Sequence, residues 1–181
     1  MIYILIGKSG SGKDYIQKYL VEKYNLSRIV THTTRPPRNG EQGGVDYYFV
    51  TDSEFEKTAF FERRQYITAV DGHKAIWKYG LSRAECERAV RDGGVIILDL
   101  TGAIKLKRAY PDSKIIFIDC LDQTREERAM KRANFNRQEW ERRLQTDGQD
   151  FCTAIVNADY VVDNGRQFYF TEKQLQTIFG S

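Results

Sequence analysis

The chain opens on an unbroken apolar run, Ile2-Tyr3-Ile4-Leu5-Ile6, and similar runs recur at Val95 to Leu98 and at Lys114 to Ile118. Runs that are apolar at nearly every position, rather than at every second one, suit strands covered on both faces, as in a parallel sheet. Between them the pattern changes to a helical period. Asp14 to Tyr24 sets Ile16, Leu20 and Val21 on one side and Lys18, Glu22 and Lys23 on the other, predicting an amphipathic helix. Ser53 to Arg64, spaced through Phe55, Ala59 and Phe60, predicts a second helix. Ser82 with Glu85 three residues on reads as a capping box opening a third, which Gly93-Gly94 ends. Ile104 to Tyr110 is a short helix stopped by Pro111, and a further helical stretch runs from Phe151 to Asn157. Ile29 and Val30 mark a short strand over Ser27 to Thr31. Tyr66 to Val70, an Asp71-Gly72 turn and Ala75 to Trp77 read as a hairpin. Ala158 to Val162 predicts a last strand, Asp163-Asn164-Gly165 a turn, and Thr171 to Phe179 a C-terminal helix capped by Thr171. Strands alternating with helices imply an α/β fold with a mostly parallel sheet flanked by helices.

The connection after the first strand carries the strongest chemistry. Gly7-Lys8-Ser9-Gly10-Ser11-Gly12-Lys13 fits G-x-x-x-x-G-K between a strand and a helix, the context a phosphate-binding loop requires. The glycines let backbone N–H groups of Ser9, Gly10, Ser11 and Gly12 turn toward phosphate oxygens, the new helix adds its positive end, and Lys13 reaches the β- and γ-phosphates. The next position departs from the pattern: Asp14 stands where a Ser or Thr hydroxyl normally ligates Mg²⁺. Its carboxylate either holds Mg²⁺, directly or through water, or only complements the helix dipole. Asp99, at the end of the Val95 run, leaves a similar choice between an Mg²⁺ or base contact and a helix cap.

Length and composition narrow the setting. The 181 residues suit one domain with room for small inserted lobes, and a net charge of +3 is too mild for a nucleic-acid binder. The three cysteines, widely spaced and without a metal-ligand pattern, read as reduced thiols of a cytoplasmic protein. No apolar run approaches membrane-spanning length, and the N-terminus reads straight into a core strand with no signal peptide. The basic residues cluster around Arg35 to Arg38 and Arg125 to Arg143. Two arginines on the stiff Pro36-Pro37 segment, with hydroxyls beside them, make a clamp for a phosphate monoester. From Thr124 onward the arginines read mainly as a solvated helical face, and Asn134-Phe135-Asn136 as a break between two helices.

Thr33-Thr34-Arg35, Pro37-Arg38, Gly40-Glu41, Gly44 and Asp46-Tyr47, closing on Phe49 and following a phosphate-binding loop, resemble the guanylate kinase family. The resemblance spans nearly the whole chain and is strongest up to Val50. It implies a P-loop NTPase core (1–31, 81–123 and 145–181), an inserted lobe for the nucleoside monophosphate (32–80) and a helical lid (124–144). In that family, the residues matching Arg35, Arg38, Tyr47 and Tyr79 hold the phosphate of GMP. Thr31 stands where a guanine-reading Ser is expected. Near Thr68 the family has a Glu that accepts hydrogen bonds from guanine, and Glu62 takes that role only if the gap lies elsewhere. Asp99 matches an Asp that organises guanine and metal, while the family's second Asp is Thr101 here. Arg132 and Arg143 match the lid arginines that close over the phosphates, and Asn164 or Asp163 matches an Asn near adenine.

The resemblance therefore implies transfer of the γ-phosphoryl group of Mg-ATP to GMP, with Lys13, Arg35, Arg132 and Arg143 as the charges that act on it. Two alternatives stay open: a kinase for another or broader monophosphate acceptor, suggested by Thr68 and Thr101, and a protein-binding module built on the same domain. The expected ligands are small nucleotides, with no nucleic acid or membrane, and the chain is expected as a monomer or homodimer.

Overall fold

The computed structural model describes residues 1–70, 73–131 and 135–180; for 68–70, 73, 74, 139, 149 and 150 it describes the backbone only. In chain order the elements are β1 (Ile2–Ile6), α1 (Lys13–Tyr24), β2 (Ser27–Arg28), β3 (Thr31–Thr33), β4 (Tyr47–Phe49) and α2 (Asp52–Lys57). They continue with β5 (Phe60–Val70), β6 (His73–Ser82), α3 (Arg83–Asp92), β7 (Gly94–Ile97), α4 (Leu100–Ala109) and β8 (Lys114–Asp119). The rest are α5 (Asp122–Met130), α6 (Arg137–Asp150), α7 (Ala154–Asn157), β9 (Tyr160–Asp163) and α8 (Phe168–Phe179). The chain forms two compact units, Met1–Leu26 with Val95–Ser181, and Ser27–Gly94.

In the first unit the strands lie in the order β7-β1-β8-β9. β1 runs parallel to β8 (Tyr3 opposite Lys114, Ile6 opposite Phe117), and β8 runs parallel to β9 up to Asp119 opposite Asp163. Their carboxyl ends therefore share one edge, where ligand crevices form in open α/β sheets. The apolar runs are buried as their pattern requires: Leu5, Val95, Ile116, Ile118 and Val162 pack with Ile16 and Leu20 of α1 and Leu175 of α8. α1 ends at Asn25, which adopts a left-handed conformation (φ 53°) that Asn tolerates at a helix C-terminus. α8 starts three residues earlier than its capping pattern suggests. Thr171 lies inside it, fully buried, its hydroxyl donating to the Asp163 carbonyl (3.1 Å) and to Asn164 Oδ1 (3.0 Å) rather than capping.

The second unit is a sheet of order β4-β3-β6-β5 with α2 and α3. Its main feature is a long antiparallel hairpin in which Arg64 faces Tyr79, Tyr66 faces Trp77 and Thr68 faces Ala75; the Asp71-Gly72 turn lies outside the described residues. Three expectations are corrected here. The helix expected over Ser53 to Arg64 stops at Lys57, because from Phe60 onward the backbone is taken up by pairing with β6. The strand expected over Ser27 to Thr31 is split into β2 and β3, since Val30 N–H donates to the Glu85 carboxylate (3.0 Å) instead of to a neighbouring strand. That bond also undoes the expected capping box: Ser82 accepts from Glu85 N–H (3.3 Å), but the Glu85 carboxylate does not return to Ser82. The capping box lies instead at Thr51 and Glu54, opening α2.

Candidate functional site

The glycine loop leaves β1 at the carboxyl edge of the sheet and enters α1 through Gly12, whose φ of 93° is one only glycine adopts easily. What distinguishes the loop is how its carbonyls are held. Lys13 Nζ donates to the carbonyls of Gly7 (2.7 Å) and Lys8 (3.0 Å), and Arg125 Nη1 to that of Ser9 (2.7 Å). The Ser11 carbonyl accepts from Asn164 Nδ2 (2.7 Å) and from Arg128 Nη1 (3.4 Å). With these carbonyls bound, the loop turns a helix N-terminus toward an anion, but two of the N–H groups expected to face phosphate are corrected here: Ser9 N–H donates to Asp147 Oδ2 (2.7 Å) and Ser11 N–H to the Lys8 carbonyl (3.2 Å). The Ser11 side chain is fully buried, its hydroxyl 2.9 Å from where a Cβ on Gly7 would stand.

Asp14 is exposed in the first turn of α1. Asp99 caps α4, its Oδ1 accepting from Gly102 N–H at 2.8 Å, as the second of its two readings required. Asn164 is buried, with its amide under the loop and its backbone carbonyl accepting from Arg128 Nη2 (2.8 Å). Arg143 is exposed on α6; Arg132 lies outside the described residues.

Sequence reasoning missed Arg125, Arg128 and Asp147. Arg125 is 1% exposed, with Asp147 Oδ2 3.1 Å from its Nη1 and Asp122 Oδ1 2.7 Å from its Nη2. The bond from Arg125, with Lys8 nearby, holds the Asp122 carboxyl below its usual range. Asp147 Oδ2 accepts the Ser9 N–H at 2.7 Å. A legible signal was present: Trp140, Leu144 and Asp147 follow the 4-3 spacing of a helix's inward stripe, so Asp147 falls on the apolar face.

In the second unit, the Arg35 side chain is buried over the rings of Tyr47 (5.5 Å) and Phe49 (5.8 Å). Its Nη2 meets both Glu41 oxygens at 2.9 Å, its Nη1 donates to the Pro36 carbonyl, and its Nε is buried without a partner. Burial alone works against the Arg35 charge, but Glu41 and Tyr79 outweigh it and raise its pKa. Burial would likewise raise Glu41, yet the Arg38 N–H (2.7 Å) and Arg35 hold it lower than usual. Thr31 sits opposite Tyr47 on β3 and β4, the Tyr47 and Tyr79 rings are 6.0 Å apart, and the Arg38 side chain is exposed. The unit thus brings Arg35, Arg38, Tyr47 and Tyr79 together around Glu41.

Tyr66 packs edge-on against Tyr79 at 5.5 Å, which fixes the hairpin face they share. By the two-residue alternation of a strand, Glu62 and Arg64 point to that face. Glu62 Oε1 accepts from Arg64 Nη2 at 2.7 Å, with only 11% of the Glu62 side chain exposed. The side chain of Thr68 lies outside the described residues. His32 packs against Tyr48 and Phe60, its Nδ1 buried without a partner; burial lowers its pKa, with Glu85 pulling the other way. No helix among the described residues is long and apolar enough to cross a membrane.

A strand, glycine loop and helix carrying Lys13 on a parallel sheet define a phosphate-loop α/β fold. The family model for guanylate kinase matches residues 1–180, and the chain belongs to the guanylate kinase family. Among its relatives is a guanylate kinase of Legionella pneumophila (strain Lens), 33% identical over 98% of this chain and 84% of that protein. A guanylate kinase of Thermus thermophilus is 37% identical over 65% of this chain, a match spanning about half, 52%, of the relative's length. The crystal structure of a guanylate kinase from Anaplasma phagocytophilum shares the fold, with a TM-score of 0.64 at 23% identity, covering 98% of this chain and 84% of that one.

Proposed function

We propose that this chain transfers the γ-phosphoryl group of Mg-ATP to GMP, giving ADP and GDP. A GMP phosphate oxygen forms the new bond to γ-phosphorus while the bond to the ADP oxygen breaks, so no covalent enzyme intermediate is required. The observation that carries this reading is Arg35. A buried guanidinium N–H without a partner costs about 1–3 kcal/mol, and a phosphate monoester between Arg35, Arg38, Tyr47 and Tyr79 removes that cost. Glu41 keeps the Arg35 fork aimed before the substrate arrives.

The glycine loop serves as the ATP half. The start of α1, Lys13 and the N–H groups of Gly10 and Gly12 take the phosphates, the Ser9 and Ser11 N–H groups being bonded to Asp147 and Lys8, and Arg132 and Arg143 add charge as the lid closes. Asp14 fits an Mg²⁺ held mostly by phosphate oxygens and water, being an exposed carboxylate in the first turn of α1 beside the loop. When bound, Mg²⁺ would neutralise charge on the β- and γ-phosphates; Asp14 is the residue assigned to it, and Asp99, whose Oδ1 caps α4, is the second candidate. For base recognition, Glu62 replaces Thr68. It is a carboxylate on the Tyr79 face, able to accept from guanine N1–H and the 2-amino group, which supports placing the gap so that Glu62 takes the role expected near Thr68.

Purified protein is incubated with Mg-ATP and each of GMP, dGMP, AMP, CMP, UMP and dTMP, and the products are resolved by chromatography. GDP and dGDP are the expected products. Turnover of a different base refutes the guanine assignment, and no diphosphate from any acceptor with ATP still bound refutes the activity.

A further inference from the structure

We propose that Arg125 and Asp147 form a buried positioning pair that fixes the phosphate-binding loop and ties helix α6 to it. The inference rests on the loop being the ATP half of the site, and it concerns residues that touch neither phosphate nor base.

Ser9 is gripped on both backbone polar atoms. Asp147 Oδ2 accepts its N–H (2.7 Å), Arg125 Nη1 donates to its carbonyl (2.7 Å), and the two side chains close the ring at 3.1 Å. Ser9 Oγ also reaches Asp147 Oδ1 at 3.4 Å. Four of the five Arg125 N–H groups are taken, both on Nη1 by Ser9 and Asp147 and those of Nε and one of Nη2 by Asp122, and the residue is 1% exposed. Its guanidinium lies against the Trp140 ring, 5.6 Å from the centroid, inside the protein. It is therefore no phosphate contact, and with two carboxylates beside it, it adds no net positive charge to the site.

Energy alone does not explain such a pair. Two charges buried this deeply are about as stable as well-packed apolar side chains in their place, and often less so. Apolar side chains, however, cannot hold a peptide N–H and a peptide C=O in one orientation. That orientation matters because phosphate recognition depends on donors placed to within about half an ångström. The next residue shows how little slack exists: a Cβ on Gly10, at φ 80°, would stand 2.8 Å from the Arg125 carbonyl oxygen. A shift of α5 at Arg125 is thus passed directly to the loop. Asp147 also lies four residues after Arg143 on α6, one helical turn, so the same bonds set how far Arg143 stands from the loop.

The test compares Arg125→Met, Asp147→Leu and the double variant for thermal stability, Mg-ATP affinity by calorimetry without acceptor, and KM and kcat for both substrates. Arg125→Met leaves the Asp147 carboxylate without its guanidinium, and Asp147→Leu leaves Arg125 with Asp122 as its remaining carboxylate, so both single variants lose stability, the first more. The double variant regains a melting temperature near wild type, yet its Mg-ATP dissociation constant and KM rise about tenfold or more with the KM for GMP unchanged. A double variant with wild-type melting and wild-type Mg-ATP affinity overturns the proposal, because a purely structural pair is rescued in both. Should the double variant not fold, Asp147→Asn and Asp147→Ala decide. Asparagine keeps an acceptor for the Ser9 N–H, so its affinity stays within about threefold of wild type while alanine loses about tenfold; equal affinities overturn the proposal. Wild-type protein that binds Mg-ATP without phosphorylating GMP refutes the activity proposed above and leaves the affinity comparison to judge the pair; wild-type protein that binds no ATP removes both.

Discussion

Replacing Asn164 by alanine separates two roles for the residue after β9. In the structure its amide works on the protein: Nδ2 donates to the Ser11 carbonyl at 2.7 Å, Oδ1 accepts from Thr171 at 3.0 Å, and the side chain is almost fully buried. Alanine removes both bonds. Thr171 keeps the Asp163 carbonyl at 3.1 Å, so that hydroxyl stays satisfied. The Ser11 carbonyl keeps only Arg128 at 3.4 Å, near the limit for a hydrogen bond. An acceptor left so weakly satisfied, with a small cavity beside it, costs about 2 kcal/mol, which for a chain of this size lowers the melting temperature by about 4–8 °C. Loosening the loop raises the KM for Mg-ATP about tenfold and the KM for GTP as donor by the same factor, since no base contact is lost. Urea unfolding at constant m-value measures the first quantity, and donor kinetics measure the second. A stability change under about 0.5 kcal/mol, accompanied by loss of preference for ATP over GTP, would refute the loop-holding role and return Asn164 to the adenine pocket.

Three further outcomes follow from the site. Asp14→Asn weakens Mg-ATP use while leaving metal-free GMP binding unchanged; equal losses, measured by calorimetry, remove Asp14 from the metal. Glu62→Gln lowers kcat/KM for GMP by about a hundredfold or more, whereas Thr68→Ala stays within about twofold; the opposite ranking restores Thr68 as the guanine reader. The His32 pKa is depressed by burial, so the folded state favours the neutral ring. The stability this provides is complete above the unfolded value of 6.5 and is lost as pH falls from there toward the lowered folded value, at up to about 1.4 kcal/mol per pH unit. Glu41 and Glu85 are held below the usual carboxylate range and are present in both proteins, so acid-side melting of wild type against His32→Phe isolates the histidine. Parallel curves between pH 6.5 and 5 exclude it.

The parallel core was legible because its strands are apolar at nearly every position, and the loop because strand, glycines and lysine stand in an order with one common use. Arg35, Tyr47 and Tyr79 were legible as a motif, and the structure adds how they are held together: Glu41, also in the motif, bonds the Arg35 guanidinium, which lies over the Tyr47 ring. What local pattern could not give was the destination of polar side chains. Glu85 has correct capping-box spacing and spends its carboxylate on Val30 and Arg88 instead. Arg125 stands in a run of arginines that reads as a wet surface, yet is buried because Asp147, far along the chain, lies opposite it. Phe60 fits a helical stripe as well as a strand, and pairing with β6 decides between them. In each case the winning term is a long-range contact that no window of neighbouring residues contains.

The interruption of the first unit by the second sets an order of assembly. β1 is made before both its neighbours: β7 begins at Gly94 and β8 at Lys114, so the bulk of Ser27–Gly94 precedes them. As the chain leaves the ribosome, this apolar strand and the glycine loop must wait as an unpaired segment while the inserted unit emerges with all its own strand partners β3 to β6. The inserted unit can therefore pair its strands first, while the loop lacks its bonds from Arg125, Asp147 and Asn164 until those residues have been synthesised. The shape of the glycine loop is a property of the segment from Arg125 to Asn164 as much as of the glycines that bear the motif.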